Sequence, residues 1–351
     1  MTAADPPAVS TTQSLKLAAE AGIHRLQLPT PFLVGRVNCY LIDDEPLTLI
    51  DTGPNSGTSL DELERALAEH GRALEDLGLI VITHQHMDHL GLLEIIQRRA
   101  GAEVAALYLL APYLEDFDRS ALAYDEFALK VMRRHGVPSD LASALGSVGA
   151  AFRAFGSSGR VTQPLHHGDE LELRDRTLRV FHRPGHSPSD TVFWDQERRI
   201  LLTGDHLLAH ISSNPVVSRP LSDAGAGDRP HALIDYIDSM RATRELPAEL
   251  VLPGHGAPVR NHVALIDDRF RMHERRARKL MRALGGGPLT AYELALKMWG
   301  NVAVTQAYLT ISEVLGHVDL LIADGSVRAD DQAEVTRFQA TGASLHQRRH
   351  P

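Results

Sequence analysis

Short apolar runs separated by turn residues open the chain. Three β-rich runs, at 24–29, 37–43 and 47–50, are separated by Gly35 and by an acidic turn at 43–45. Apolar runs of this length between glycine and acidic turn residues are typical of β-strands joined by tight connections. The pattern therefore predicts an antiparallel meander before residue 51.

Helical and strand patterns then alternate. Residues 59–70 place Leu60, Leu63 and Leu67 on one helical face, and the continuous apolar run at 77–82 is typical of a buried strand. A helix at 92–99 and a strand at 103–109 follow. In the second half, strands are predicted at 171–182, 191–194, 199–202 and 250–252, with a helix at 231–245. This alternation predicts a layered α/β domain.

Two regions depart from the alternation. Residues 111–155 have helical periodicity and many aromatic residues, most of which we interpret as helix packing and a few as lining for a substrate pocket. After a glycine-rich linker at 285–288, Thr290 and Glu293 form a capping box that opens a helix. A longer helix at 306–323 and a hairpin formed by 326–329 and 334–339 follow. Helix, helix and hairpin in this order resemble a winged-helix module.

The composition is that of an ordinary globular protein. Of 351 residues, 43% are hydrophobic and 23% are charged, and the net charge of −9 argues against broad attraction to nucleic acid or anionic lipid. The single cysteine, Cys39, excludes an intramolecular disulfide and a cysteine-based zinc cluster. No signal peptide or membrane-spanning run is visible, so we expect a cytoplasmic protein with no membrane partner.

Nineteen histidines are the most unusual feature of this composition. Four potential metal ligands, His84, His86, Asp88 and His89, stand in one tight loop that follows the predicted strand at 77–82. His84 and His86 alternate as on an extended chain and can converge on one ion, while Asp88 and His89 can turn toward a second. The loop therefore predicts a two-metal site at a strand end, where α/β proteins usually place their sites.

The loop alone cannot complete two sites, because zinc takes about four ligands in total, including an open position for water. Three later segments supply further ligands: His186 and His255 each follow a Pro-Gly pair, and Asp205 follows a Thr-Gly pair. Each lies just beyond a predicted strand, where the glycine lets the backbone turn sharply. The seven residues form a pattern that is specific as a set, although each residue alone is weak support.

The order and context of these motifs resemble the metallo-β-lactamase superfamily of hydrolases over roughly residues 24–262. The resemblance implies an α/β fold, a four-layer αβ/βα sandwich, with a catalytic domain at 24–284 that carries the helical insertion at about 111–157. An N-terminal segment at 1–23 precedes this domain, and the winged-helix-like domain at 285–351 follows it. Asp51, Thr52 and Gly53 resemble the family's early Asp-Thr-Gly turn, whose aspartate supports the metal loops from behind.

The same resemblance assigns the ligands. His84, His86 and His186 match the first metal's ligands, Asp88, His89 and His255 match the second's, and Asp205 matches the carboxylate that bridges both. It implies two divalent ions, with zinc expected and iron or manganese as alternatives. A hydroxide between the ions would attack the substrate, and Asp88 or Asp205 would accept the proton of the water. Ser187, Asp190 and His206 are candidates to support the ligands, with local turn chemistry as the alternative.

The substrate is less defined than the site. True zinc β-lactamases commonly carry cysteine at the bridging position, so Asp205 argues against lactamase activity. The favoured hypothesis is hydrolysis of thioesters or related activated esters, such as acyl-glutathione, acyl-CoA or a lactone. The acidic chain and the aromatic insertion over the metals favour a small-molecule substrate of this kind.

An RNA-directed endonuclease is the alternative, because some relatives join this fold to a winged helix. A helix near 269–282 could contact phosphates through its basic residues, which are Arg269, Arg271, Arg275, Arg276, Arg278, Lys279 and Arg282. The C-terminal region, however, has more acidic than basic residues, and Glu313, Asp319 and Asp324 stand on its recognition-type helix. Packing or homodimerisation is its favoured role, nucleic acid is not the favoured partner, and DNA-binding regulation is a remote third hypothesis.

Overall fold

The computed structural model describes residues 10–222 and 229–342. Residues 1–9 of the predicted N-terminal segment and 343–351 of the predicted C-terminal domain lie outside the described residues. Among the helices within these ranges, none is long and apolar enough to cross a membrane.

The first sheet contains six strands in chain order. Its antiparallel part, which confirms the predicted meander, consists of β1 (Ile23–Leu28), β2 (Val37–Ile42) and β3 (Thr48–Ile50). Its parallel part consists of β4 (Leu79–Ile82), β5 (Glu103–Leu107) and β6 (Gln163–Leu165). Parallel strands need crossover connections, which are helical here. These helices are α2 (Gly57–Glu69), α3 (Met87–Leu90), α4 (Leu93–Ala100), α5 (Leu110–Glu115), α6 (Phe117–Arg134) and α7 (Ser139–Phe152).

The second sheet contains five strands in the order β11-β10-β9-β8-β7. They are β7 (Glu170–Glu172), β8 (Thr177–His182), β9 (Thr191–Asp195), β10 (Ile200–Gly204) and β11 (Leu250–Pro253). Only the β10–β11 pair is parallel, and α8 (Ala232–Arg244) connects these two strands. A long helix, α9 (His262–Leu284), follows β11.

The two sheets pack face to face. One hydrophobic cluster lies between them and includes Ile50 and Val81 of the first sheet with Phe193 and Leu252 of the second. A second cluster packs α2 and α4 on the outer face of the first sheet, and it includes Cys39 of β2, which is fully buried. Leu201 and Val251, on the other face of the second sheet, pack with Leu265 of α9. Helices therefore flank both sheets, and the predicted α/β fold is confirmed.

The insertion and the C-terminal region share one hydrophobic core. The C-terminal elements are α10 (Ala291–Trp299), α11 (Val302–Thr305), α12 (Ala307–Ala323), β12 (Val327–Asp330) and β13 (Arg337–Ala340), and the predicted capping box opens α10. Val131 of the insertion packs in one cluster with Leu280, Leu294 and Val314. Residues 310–319 of α12 are all buried, so this stretch has no exposed face for a nucleic acid groove. The winged-helix resemblance stays a prediction.

Three elements differ from the sequence predictions. The run at 171–182 is two strands, β7 and β8, which pair with each other because a polar turn at Arg174 and Asp175 reverses the chain. The strand β6 and the N-terminal helix α1 (Thr11–Glu20) were not predicted. β6 has three residues with one buried side chain, and α1 buries only Ser14 and Ala18, so neither leaves a clear hydrophobic pattern.

Candidate metal centre

All seven residues predicted as metal ligands lie together. We call them the seven-residue cluster: His84, His86, Asp88, His89, His186, Asp205 and His255. The first four lie in the loop after β4 and in the short helix α3, and the other three follow β8, β10 and β11. The loop ends of both sheets therefore meet at one place, which is why residues far apart in the sequence come into contact.

The first group joins three imidazoles. The Nδ1 atom of His86 lies 3.0 Å from Nε2 of His84 and 3.0 Å from Nε2 of His186. Nitrogen atoms this close, all within 4.8 Å of one another, can converge on one ion. The geometry therefore brings together the three residues predicted for the first metal.

The second group joins Asp88, His89 and His255. Nε2 of His255 lies 3.2 Å from Oδ2 of Asp88, and Nε2 of His89 lies 4.0 Å from Oδ1 of Asp88. These ligand atoms also lie within 4.8 Å of one another. The residues predicted for the second metal are therefore adjacent.

Asp205 lies between the two groups. Its Oδ1 atom is 3.5 Å from Nε2 of His89, and its Oδ2 atom is 3.5 Å from Nε2 of His255. The same Oδ2 atom is 3.7 Å from Nε2 of His186, which belongs to the first group. One carboxylate therefore contacts members of both groups, as expected of a bridging ligand.

Several polar atoms of this cluster are buried without a hydrogen-bond partner. They are Nε2 of His89, Nε2 of His255 and Oδ1 of Asp205. A buried polar atom without a partner costs free energy, of order 1–3 kcal/mol each, so native proteins rarely tolerate three together. Because these atoms face one another and are nitrogen and carboxylate donors, the residues fit a divalent cation.

In four of the five histidines, the far side of the ring is hydrogen-bonded, which aims the other nitrogen inward. Nδ1 of His89 lies 2.7 Å from Oδ2 of Asp51, and Nδ1 of His84 lies 2.9 Å from Oγ1 of Thr83. Asp51 also accepts hydrogen bonds from the backbone N–H and the hydroxyl of Thr83. Contacts of this kind fix the tautomer and orientation of metal-binding histidines.

Two backbone carbonyls orient two further rings. Nδ1 of His186 donates to the carbonyl oxygen of Asn214 at 3.0 Å, and Nδ1 of His255 donates to that of Arg36 at 2.9 Å. The sequence pattern predicted no orienting contact from Asn214 or Arg36. No sequence signal could have found these contacts, because any residue supplies a carbonyl oxygen.

The electrostatics of the cluster suit metal binding. Burial and the neighbouring His186 lower the pKa of His86 to about 3, so its imidazole is neutral at pH 7. Burial opposes ionisation of Asp205, but His255 and His89 hold its pKa well below the usual range. Burial also works against charge on His89, yet Asp205 and Asp51 raise its pKa well above the ordinary value. The buried carboxylates therefore favour a positive charge within the cluster, and a metal ion can supply it instead of a proton.

Glycines allow the close approach of these loops. A Cβ atom at Gly254 would lie 2.4 Å from Oδ1 of Asp205 and 2.7 Å from the His89 ring. Gly204 has a positive φ of 48°, and a Cβ atom at this position would collide with the side chain of Thr83. Both glycines precede a ligand, as the sequence pattern predicted.

The three predicted supporting residues have different surroundings. Ser187 donates its backbone N–H and its hydroxyl to Asp190, which forms a turn beside His186, and burial raises the pKa of Asp190 to about 6. Nε2 of His206 lies 2.9 Å from the Thr243 hydroxyl on α8. The first two therefore shape the loop of a ligand, whereas His206 anchors its loop to a helix.

An aromatic group lies next to the metal loop. The ring centroid of Phe32 is 5.4 Å from that of Phe152 and 6.2 Å from that of Phe155. The segment that carries Phe155 packs on the metal loop, since the Ser157 hydroxyl donates to the carbonyl of Leu90. Leu33, beside Phe32, is 92% exposed. Apolar side chains therefore stand at the edge of the site, and some of them come from the insertion.

Five of the seven basic residues of the predicted RNA-contacting helix bind other protein groups. On α9, Arg269 donates to backbone carbonyls, Arg276 pairs with Glu313 and Lys279 donates to the carbonyl of Met298. Arg271 and Arg278 pair with acidic residues of the same helix. Three of these side chains are thus paired with carboxylates, and two more donate to backbone carbonyls.

A second buried group of histidine and carboxylate lies between α9 and α12. We call it the helix cluster: His273, Arg276, Glu313 and His317. Nδ1 of His273 lies 3.2 Å from Nε2 of His317, whose Nδ1 donates to the backbone carbonyl of Glu313 at 2.7 Å. The Glu313 carboxylate is paired with Arg276. The potential ligand atoms of His273, Glu313 and His317 lie close enough together to hold one ion, but the guanidinium already balances the charge of the carboxylate.

Comparison with known proteins agrees with this geometry. The sequence model of the metallo-beta-lactamase superfamily matches residues 33–255. The probable metallo-hydrolase YqjP of Bacillus subtilis (strain 168) is 34% identical over 315 residues, which cover 90% of this chain and 96% of that protein. An atrochrysone carboxyl ACP thioesterase of Aspergillus fumigatus is 25% identical over 276 residues, which cover 79% of this chain and 67% of that protein.

Solved structures share the fold. A metallo-beta-lactamase family protein from Thermus thermophilus superposes with a TM-score of 0.77 at 27% identity, over 91% of this chain and 98% of the other. A beta-lactamase domain protein from Burkholderia ambifaria gives a TM-score of 0.74 at 23% identity, over 91% of each chain. The likeness thus extends beyond the two sheets to the insertion and much of the C-terminal region.

Proposed function

The chain belongs to the metallo-beta-lactamase superfamily, and we propose that it is a metal-dependent hydrolase of thioesters or related activated esters. The observation that carries the metal dependence is the position of Asp205, whose carboxylate lies 3.5–3.7 Å from the ring nitrogens of His89, His186 and His255. A carboxylate shared between two groups of ligands is suited to bridge a pair of ions.

The residues divide into two sets of ligands. His84, His86 and His186 would hold one ion, and Asp88, His89 and His255 the other, with Asp205 shared. Bound divalent ions supply Lewis acidity and a water of lowered pKa. The nitrogen and oxygen donors suit zinc, with iron and manganese as alternatives that metal analysis of the purified protein would distinguish.

The chain's own residues perform the remaining work. Asp88 and Asp205 are ionised carboxylates in contact with the ligand histidines, so either can accept the proton of an attacking water. Asp51 and the carbonyls of Arg36 and Asn214 hold the rings in their tautomers. No nucleophilic side chain is required.

Three observations support an ester or thioester substrate. Proteins similar to this chain include fungal enzymes that are named thioesterases. The aromatic group at Phe32, Phe152 and Phe155 offers an apolar edge to an acyl chain. The arginines of α9 are mostly engaged with protein groups, which weakens the case for a phosphodiester substrate.

Thiol release tests the proposal. Purified protein loaded with zinc is given a panel of acyl-glutathione and acyl-CoA thioesters, with Asp205→Asn alongside. Release that depends on Asp205 would support a thioesterase and reduce the question to the acyl group. Absence of release from every thioester would contradict the preferred substrate class and direct the same comparison to lactones and then to RNA.

A further inference from the structure

We propose that Arg269 is a positioning residue for the metal centre, because it fixes the segment that carries one ligand and orients another. This inference rests on the metal-dependent function proposed above. Arg269 belongs to α9, the helix whose basic residues suggested contact with RNA from the sequence.

One nitrogen of Arg269 serves several carbonyl groups. Its Nη2 atom donates to the carbonyl oxygens of Leu208, Ala209 and Ile211 at 3.1, 3.3 and 2.9 Å. These three residues follow Asp205 by three to six positions and lie outside helices and strands. Leu208 is buried, so its carbonyl needs a donor, and this irregular segment lacks the regular pairing that would supply one. Arg269 therefore provides the hydrogen bonds that a helix or sheet would provide elsewhere.

The same segment is attached to the metal centre at both ends. It begins at Asp205, the shared ligand, and it ends at Asn214, whose carbonyl accepts the Nδ1 hydrogen of His186 at 3.0 Å. The Ser213 hydroxyl also donates to the carbonyl of Asp205. A shift of the segment would therefore displace a ligand of each group, and Arg269 holds its middle.

The charge of Arg269 is used differently from that of its neighbours. Within the described residues, Arg269 has no ion pair with a carboxylate, whereas Arg271 pairs with Asp268 at the helix surface. Its side chain is half-buried, and its contacts are carbonyl dipoles. The Arg269 guanidinium thus interacts with backbone carbonyls rather than with a carboxylate. Loss of this side chain removes a hydrogen-bond donor from three carbonyls.

Metal affinity separates a positioning role from simple packing. Arg269→Met should weaken zinc binding by about 10–100-fold, the usual effect of losing a residue that orients metal ligands, as measured by competition with a chelator of known affinity. The absorption spectrum of the cobalt-substituted variant should also change, because Asp205 and His186 shift. Arg269→Lys should recover part of the affinity, since an ammonium group can still donate to carbonyls.

The controls keep the outcomes distinct. Arg271→Met, on the exposed surface of the same helix, should bind zinc like the wild type. Wild-type affinity and an unchanged cobalt spectrum in Arg269→Met would overturn the inference. If Arg269→Met does not fold, the same reading applies to Arg269→Lys, whose zinc affinity should lie measurably below that of the wild type. A wild-type protein that binds no metal would instead refute the proposed function.

Discussion

The seven-residue cluster and the helix cluster are built from the same kinds of side chain, yet their charges are balanced differently. In the seven-residue cluster, Nε2 of His89, Nε2 of His255 and Oδ1 of Asp205 are buried without partners. In the helix cluster, Nε2 of His273 is also buried without a partner, but Arg276 pairs with Glu313, and the two histidines form a chain of hydrogen bonds. Neither donor identity nor one unpaired nitrogen therefore defines a metal site; several unpaired donor atoms beside an unbalanced negative charge do.

Asp205→Asn should have the largest effect on the seven-residue cluster. The amide removes the charge shared by both groups, so turnover should fall by about 10²–10⁴-fold, since metal Lewis acidity is worth several kcal/mol. Steady-state hydrolysis and metal content measure the effect. Asp267→Asn, which removes a pair with Arg244 away from the cluster, is the control and should keep its activity. A fully active Asp205→Asn protein would refute the two-metal arrangement.

Asp51→Asn tests the support behind the ligands. Asp51 accepts from His89 and twice from Thr83, so its neutralisation should lower zinc affinity by about 10–100-fold while the fold persists. Chelator competition gives the affinity, and circular dichroism checks the fold. Asp43→Asn, which loses only a surface pair with Arg72, serves for comparison. Equal zinc affinity in the two variants would mean that Asp51 does not orient His89.

Arg276→Met tests the charge balance of the helix cluster. Without its guanidinium, Glu313 is left buried, and the free energy of unfolding should fall by roughly 1.5–3 kcal/mol, the usual value of a charged hydrogen bond. The helix cluster should then gain affinity for a further zinc equivalent, and this zinc should recover part of the stability. Thermal unfolding with excess zinc measures both effects.

The double variant Arg276→Met, His317→Gln provides the control for the helix cluster. It keeps the loss of the ion pair but removes one potential ligand, so added zinc should not recover its stability. Recovery of equal size in both variants would show that the zinc binds elsewhere.

A smaller effect is expected from acidification, which tests the burial of His273 in the helix cluster. Burial, with His317 and Arg276 nearby, lowers the pKa of His273 to about 2 in the folded protein. In the unfolded chain, the pKa of a histidine is about 6.5. Below about pH 6.5 the unfolded state binds a proton that the folded state refuses, so stability falls as pH falls, by up to about 1.4 kcal/mol per pH unit for this group.

Denaturant unfolding between about pH 6.5 and 5 tests this sign. His273→Gln should show a shallower loss of stability with falling pH than the wild type, because it lacks the titrating group. His166→Gln changes a surface histidine and should retain the wild-type slope. Equal slopes in wild type and His273→Gln would contradict the assignment.

The sequence predicted which residues come together because its signals are local. Each ligand stands at the end of an apolar strand beside a glycine or within one loop, and the structure brings all seven together. The meander, the alternating strands and helices, and the capping box at Thr290 were also predicted, since each depends on near neighbours in the chain. The unpredicted α1 and β6 bury few side chains, so their structure depends on packing against the rest of the protein.

Local sequence patterns could not predict contacts between residues that are far apart in the chain. Arg269 resembles its basic neighbours in sequence, and only the fold shows that it faces carbonyls some 60 positions earlier. His273 and His317 are 44 positions apart on different helices, so their pairing depends on how α9 and α12 cross. Side-chain identity did not reveal which histidines bind each other and which face an unbalanced negative charge.

Cys39 has a practical consequence for chemical labelling. It is the only cysteine of the chain, it is fully buried on β2, and burial raises the pKa of its thiol well above the ordinary value. The thiolate is the reactive form of cysteine, so the native protein should not react with maleimides or disulfide reagents. Any thiol that such a reagent detects during turnover therefore comes from the substrate, and a cysteine introduced at exposed Leu33 would be the single position to accept a fluorophore.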